Sequence, residues 1–104
     1  MRVFGISDLH ADYAENRQWI KALPRDQYAA DVLLLAGDIS DDFVLLQEVL
    51  ATLRERFARV LFVAGNHDLW VHRGDYDCSL AKKAAVYSLC AELEIDTERF
   101  SLQD

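Results

Sequence analysis

Cysteine, proline, glycine and histidine are all scarce in this chain of 104 residues, which contains two, one, four and three of them respectively. The two cysteines, Cys78 and Cys90, stand twelve positions apart and form no CxxC pair. That count excludes a disulfide-dense scaffold, and a structural zinc site would need further ligands close to them that are not there. Two buried thiols in a reducing cytosol are expected, with Cys90 on the apolar face of a helix beside Val86, Leu89 and Leu93. Long hydrophobic runs are missing too. Stretches such as Val32 to Ala36 and Val60 to Ala64 are strand-sized, far short of a membrane span. Asp8 interrupts the N-terminal region before any signal-like apolar segment develops, so a cytoplasmic location is expected. Lys and Arg number 11 against 18 Asp and Glu, for a net charge of −7, and no basic run gathers into a patch. Nucleic-acid backbone is therefore an unsuitable main partner, since neutralising phosphates takes clustered cations. With 52% hydrophobic and 28% charged residues the composition is that of an ordinary globular protein, and one domain over residues 1–104 is expected.

What the sequence does contain is a three-fold rhythm. Apolar runs recur at Val3-Phe4-Gly5-Ile6, Val32-Leu33-Leu34-Leu35 and Val60-Leu61-Phe62-Val63. Each is uninterrupted rather than alternating, the pattern of strands covered on both faces in a parallel sheet. Helical spacing lies between them. Phe43, Leu46, Leu50, Leu53 and Phe57 fall on one helix face, with Ser40 expected as N-cap, Asp41 and Asp42 in the first turn, and Arg54, Arg56 and Arg59 at the far end. A weaker helix is expected over about Tyr13 to Leu23, stopped by Pro24, and a third from near Ser79 to Leu93. Arg99 to Leu102 alternates as a fourth strand would. Strand, helix, strand, helix, strand, helix defines an α/β fold with a parallel βαβαβ sheet flanked by helices. Trp19, Trp70 and the spaced leucines are expected to be packing residues.

Each apolar run ends in a short polar cluster: Asp8-Leu9-His10, Gly37-Asp38-Ile39-Ser40-Asp41 and Gly65-Asn66-His67-Asp68. In a parallel α/β sheet the carboxyl ends of the strands form one edge, where ligand groups collect. The same 28 positions separate His10 from Asp38 and Asp38 from Asn66, a regularity that would bring separate loops together. Carboxylate, imidazole and amide oxygen suit divalent manganese, iron or zinc and not soft copper. Taken singly, Asp8, Asp38 and Asn66 would each read as a cap or turn residue. Gly37 and Gly65 allow tight turns ahead of the polar side chains.

In order and spacing, the three clusters resemble the DxH, GDxxD and GNH[DE] motifs of the calcineurin-like metallophosphoesterases, over about Val3 to Asp68. The resemblance implies that Asp8 and His10 bind a first metal, that Asp38 bridges two metals, and that Asn66 binds the second. It implies that His67 protonates or orients the leaving oxygen while Asp68 holds its ring. The reaction implied is hydrolysis of a phosphate mono- or diester by water activated between two cations. The fold implied is a pair of packed sheets flanked by helices, of which this sequence offers half. The family draws further ligands from histidines in its second half, including a GHxH motif, whereas His10, His67 and His72 are the only histidines here. Weak or single-metal binding and low turnover are therefore expected of this chain by itself. A truncated domain, completed by a missing C-terminal half or a second chain, would account for both shortfalls. Asp41 is read as a helix cap, His72 and Arg73 as surface residues near the substrate mouth, and Asp75 and Asp77 as solvated loop carboxylates. Two other functions compete: a non-catalytic remnant serving as a binding module, and a receiver-like domain that gathers aspartates around magnesium. The latter would need neither His10 nor the Gly-Asn-His-Asp cluster.

Overall fold

In the computed structural model, residues 1–7, 9–37, 39–40, 42–63 and 79–97 are described. The three apolar runs form strands β1 (Val3–Ser7), β2 (Val32–Ala36) and β3 (Arg59–Val63), in a parallel sheet of order β1-β2-β3. Register aligns Phe4 with Leu33 and Val60, and Ile6 with Leu35 and Phe62. With a side-chain period of two, these six residues share one face.

Helices α1 (Ala14–Lys21), α2 (Phe43–Arg56) and α3 (Ser79–Glu92) all contribute to a core built on that face. From α1 comes Ile20; from α2, Leu46, Val49, Leu50 and Leu53; from α3, Val86, Leu89 and Cys90. The helical spacing of the α2 leucines is what turns them together onto the sheet, and each buried leucine contributes roughly 1.5–3 kcal/mol. Burial pushes the Cys90 thiol up to about 11, and Cys90 is a free cysteine. Cys78 lies outside the described residues.

Three expectations are corrected. The uninterrupted apolar runs predict coverage on both faces, but Val3, Leu34 and Val63 on the second face are 51%, 41% and 59% exposed. The helices among the described residues pack on the first face, so among the described residues the sheet has one covered face. Trp19, expected as packing, is 51% exposed and lines an open groove beside the outer edge of β1. The N-cap of α2 is Asp42, not Ser40: the Asp42 carboxylate accepts from the Val44 and Leu45 amides at 2.9 and 3.3 Å. Ser40 is buried and its hydroxyl is engaged in a long-range bond instead.

The amino edge of the sheet is closed by an ion pair and stacked rings. Asp31, buried just before β2, accepts from the Arg2 amide at 2.9 Å and from its guanidinium at 2.8 and 3.2 Å. These bonds hold the Asp31 carboxyl below the usual carboxylate range. The Arg2 guanidinium lies 5.2 Å from the Phe4 ring centre and 5.9 Å from that of Tyr28, and Tyr28 stacks on Phe57 at 5.1 Å. After α3 the chain returns to β3: the Asp96 amide donates to the Val60 carbonyl, and the Phe62 amide to the Asp96 carbonyl, at 2.9 and 2.8 Å. The strand expected at Arg99 to Leu102 lies outside the described residues.

Candidate metal centre at the carboxyl edge

Parallel pairing puts the ends of β1, β2 and β3 side by side, since Ser7, Ala36 and Val63 are in register. The loops that leave the first two strands are tied together. The Ala11 amide donates to the Ile39 carbonyl at 2.6 Å, and the Ser40 hydroxyl donates to the Asp12 carboxylate at 2.7 Å. The same hydroxyl accepts from the Asp42 amide at 2.9 Å, which couples this junction to the start of α2. Residues Ala11 and Asp12 of the first loop are thereby fixed against Ile39 and Ser40 of the second.

His10 itself has a left-handed backbone, with φ of 45°. Histidine is among the few non-glycine residues enriched there, but the conformation must be held by its surroundings. Asn16, in the first turn of α1, does so: its side-chain amide donates to the Leu9 and His10 carbonyls at 2.8 and 3.0 Å. The His10 carbonyl also accepts from the Tyr13 amide at 3.1 Å. Arg17, one residue on, donates to the Ala11 and Asp12 carbonyls at 2.7 and 2.9 Å. Helix α1 therefore grips four consecutive carbonyls of the loop, and half-buried His10 is set at the sheet's carboxyl edge. Gly37 has φ of 50°, the turn conformation its lack of a Cβ permits, directly before Asp38.

Of the residues expected in the site, His10 is described; Asp8, Asp38, Asn66, His67 and Asp68 lie outside the described residues, as do Asp41, Trp70, His72, Arg73, Asp75 and Asp77. Among the described residues no three of His, Cys, Asp and Glu gather as a metal-holding group. The chain neighbours of Asp8 and Asp38 are described, and the bonds above bring those two loops together. Motif reasoning missed Asn16, Arg17 and Asp12, and it misread Ser40. Asn16 and Arg17 sit in an unremarkable helical stretch; only their reach to backbone carbonyls five to seven residues back reveals the role.

Among the described residues, half-buried His10 offers an imidazole at this edge, a donor of the kind that manganese, iron or zinc accepts. The groove beside β1, about 230 Å³ in volume, does not fit a divalent cation, since Phe4, Ile6, Trp19, Tyr28 and Phe57 line it. No helix among the described residues is long and apolar enough to cross a membrane.

Comparison with known proteins bears on the family and the fold. The family model described as calcineurin-like phosphoesterase matches residues 1–100. The acyl-carrier-protein phosphodiesterase PptH of Mycobacterium tuberculosis is 36% identical over 73 residues, which are 70% of this chain and 22% of that protein. The crystal structure of the phosphopantetheinyl hydrolase PptH from the same organism superposes with a TM-score of 0.82 at 28% identity, covering 98% of this chain and 38% of the other. The chain thus spans well under half the length of the relatives it matches. A three-stranded parallel sheet, a family model matched over nearly the whole sequence and a close structural likeness lead to one assignment: this chain belongs to the calcineurin-like phosphoesterase family.

Proposed function

We propose that the carboxyl edge is the metal-binding part of a phosphoester hydrolase site, with a phosphodiester as the substrate class. The observation that carries this reading is the direct tie between the two motif loops, the 2.6 Å bond from the Ala11 amide to the Ile39 carbonyl. The relatives' names support the substrate class, since they describe a phosphodiesterase of acyl carrier protein and a phosphopantetheinyl hydrolase.

Asp8, His10, Asp38 and Asn66 would hold the cations, with Asp38 between two of them because a carboxylate offers two oxygens. When bound, divalent cations supply a water-derived nucleophile at neutral pH and offset the charge that builds on the phosphoryl oxygens. This chain's own residues do the rest. Asn16 and Arg17 hold His10 in a conformation it would not keep alone. Ser40 fixes the distance between the loops. His67 is assigned to the proton delivered to the leaving oxygen, with Asp68 orienting its ring. No nucleophilic serine or cysteine is called for, in keeping with the inert thiol of Cys90.

Four ligands leave much of two coordination shells to water, so the chain by itself binds manganese weakly, or at one site only, and turns over slowly. A second polypeptide segment bearing histidines would complete the set. A cytoplasmic location accompanies this reading. The alternative, a binding module without catalysis, draws on the small share of the relatives' length that the chain covers. Calorimetric titration with manganese tests the proposal: weak binding that Asp38→Asn abolishes is expected. Binding indifferent to Asp38→Asn would refute the site, and two tight sites would refute its being partial.

A further inference from the structure

Strand β1 forms one outer edge of the sheet, since the order is β1-β2-β3. The Val32 amide donates to the Arg2 carbonyl at 2.9 Å, so by the two-residue period Phe4 and Ile6 also turn their amides and carbonyls toward β2. The amides and carbonyls of Val3, Gly5 and Ser7 point the opposite way, out of the sheet. No hydrogen bond among the described residues uses them. An open row of strand donors and acceptors is a template for a further strand. Alongside it runs the apolar groove between β1 and α1, lined by Phe4, Ile6, Leu23, Tyr28, Phe57 and the half-exposed Trp19. The edge thus leaves backbone and rings uncovered together, with room for a strand and for apolar side chains.

This edge is self-complementary. Its open groups are symmetric about Gly5, so a two-fold axis through Gly5 pairs the strand with itself in antiparallel register. Val3 then meets Ser7 of a second copy and Gly5 meets Gly5, each pair exchanging both backbone bonds. Phe4 falls opposite the second copy's Ile6 on the groove face, in the closer-spaced kind of pair, and aromatic contacts with β-branched residues stabilise sheets. Nothing stands within 4 Å of where a Cβ on Gly5 would sit, so the midpoint of the strand is open to approach. Charge follows the same symmetry. Helix α1 is the helix nearest this edge, since it packs on α2 and α2 on α3. Exposed Glu15 lies in its first turn, at the carboxyl end. Exposed Arg25 follows it at the amino end, where the Leu23 carbonyl accepts from Arg56 of α2 at 3.0 Å. Neither Glu15 nor Arg25 is ion-paired among the described residues. The two-fold brings Glu15 of each copy to the Arg25 end of the other, opposite charge to opposite charge.

We propose that the β1 edge and the groove beside it are an interface between two copies of this chain, joined β1 to β1 as an antiparallel two-fold pair that continues the sheet. The proposal is independent of the phosphoester reading. The two carboxyl edges face opposite ways in the pair, and neither copy lends the other a metal ligand. One strand and one helix from each side make a small interface, so the dimer is weak, with a dissociation constant on the order of 10–100 μM.

Sedimentation equilibrium of the full chain over a concentration series, beside Gly5→Pro and Trp19→Glu, tests it. Proline removes the outward Gly5 amide, which no described group uses, and an edge strand tolerates proline, so the single chain should keep its circular-dichroism spectrum. Each variant is expected to weaken dimerisation at least about tenfold. In a mixture of isotope-labelled and unlabelled chains, a cross-peak is expected between the Phe4 Hα of one copy and the Ile6 Hα of the other, the close contact of this register. A chain that stays monomeric throughout the series overturns the proposal. So does a dimer that both variants leave intact and that lacks the cross-peak; its weakening by Leu34→Glu would move the contact to the exposed second face of the sheet. Should Gly5→Pro fail to fold, Trp19→Glu, at a half-exposed position, and the cross-peak decide between the same two results.

Discussion

Replacing Asn16 by alanine removes two hydrogen bonds, those to the Leu9 and His10 carbonyls. At roughly 0.5–1.5 kcal/mol net for each, the loss is about 1–3 kcal/mol. Alanine is the better helix former by about 0.5 kcal/mol, and Asn16 lies inside α1, so the net destabilisation is about 0.5–2.5 kcal/mol. With a urea m-value of about 1.5 kcal/mol/M, the midpoint falls by roughly 1 M. The effect should be concentrated on the His10 loop. Its left-handed backbone relaxes once its two clamps are gone, and the Tyr13 amide, bonded to the His10 carbonyl, loses protection from exchange. Asn16→Asp makes a sharper control. Its carboxylate has no donor and faces two carbonyl oxygens, so it should cost more than alanine. Urea unfolding and amide exchange on the three chains decide the matter. An alanine variant as stable as the parent, with Tyr13 protection unchanged, would refute the view that α1 holds the loop.

Two further outcomes follow from the ionisable groups. The Asp31 carboxyl is held below its unfolded value by Arg2, so it adds stability above about pH 4 that is lost as pH falls through the lower folded value. Asp31→Asn should flatten that part of the acid-unfolding profile, and a parallel profile in both chains would contradict it. The Cys90 thiol, pushed up to about 11 and buried, should resist iodoacetamide at pH 8 in the folded chain and react on unfolding, as peptide mass mapping would show. Rapid labelling of Cys90 under native conditions would contradict its burial.

The strands were legible because runs such as Val60-Leu61-Phe62-Val63 are short, β-rich and bounded by polar clusters; the structure extends them by one residue, to Ser7, Ala36 and Arg59. Helix α2 was legible from its leucine spacing, and α3 from the face shared by Val86, Leu89 and Cys90. The cap of α2 was not. Ser40 satisfies every local rule for an N-cap, yet its hydroxyl reaches Asp12, 28 residues away, and no rule based on neighbours in sequence sees that partner. Coverage of the sheet was misjudged for a related reason. An unbroken apolar strand has two apolar faces whether or not both are covered by the same chain, so Leu34 and Val63 read as core and stand exposed. Trp19 likewise reads as packing because its size and hydrophobicity say nothing about where the sheet ends. For the site, type and spacing singled out the motif residues, of which His10 is described, while the supports of the His10 loop gave no such signal. Asn16 and Arg17 act on backbone carbonyls, which leave no signature in the sequence.

The central claim is that Asp8, His10, Asp38 and Asn66 serve one shared metal centre, and paramagnetic broadening by manganese tests it most directly. At substoichiometric Mn2+, the amide signals of Leu9, His10, Gly37 and Ile39 and those around Asn66 should broaden together, while signals at the amino edge, such as Arg2 and Asp31, stay sharp. Broadening of only one loop, or of both edges alike, would contradict it.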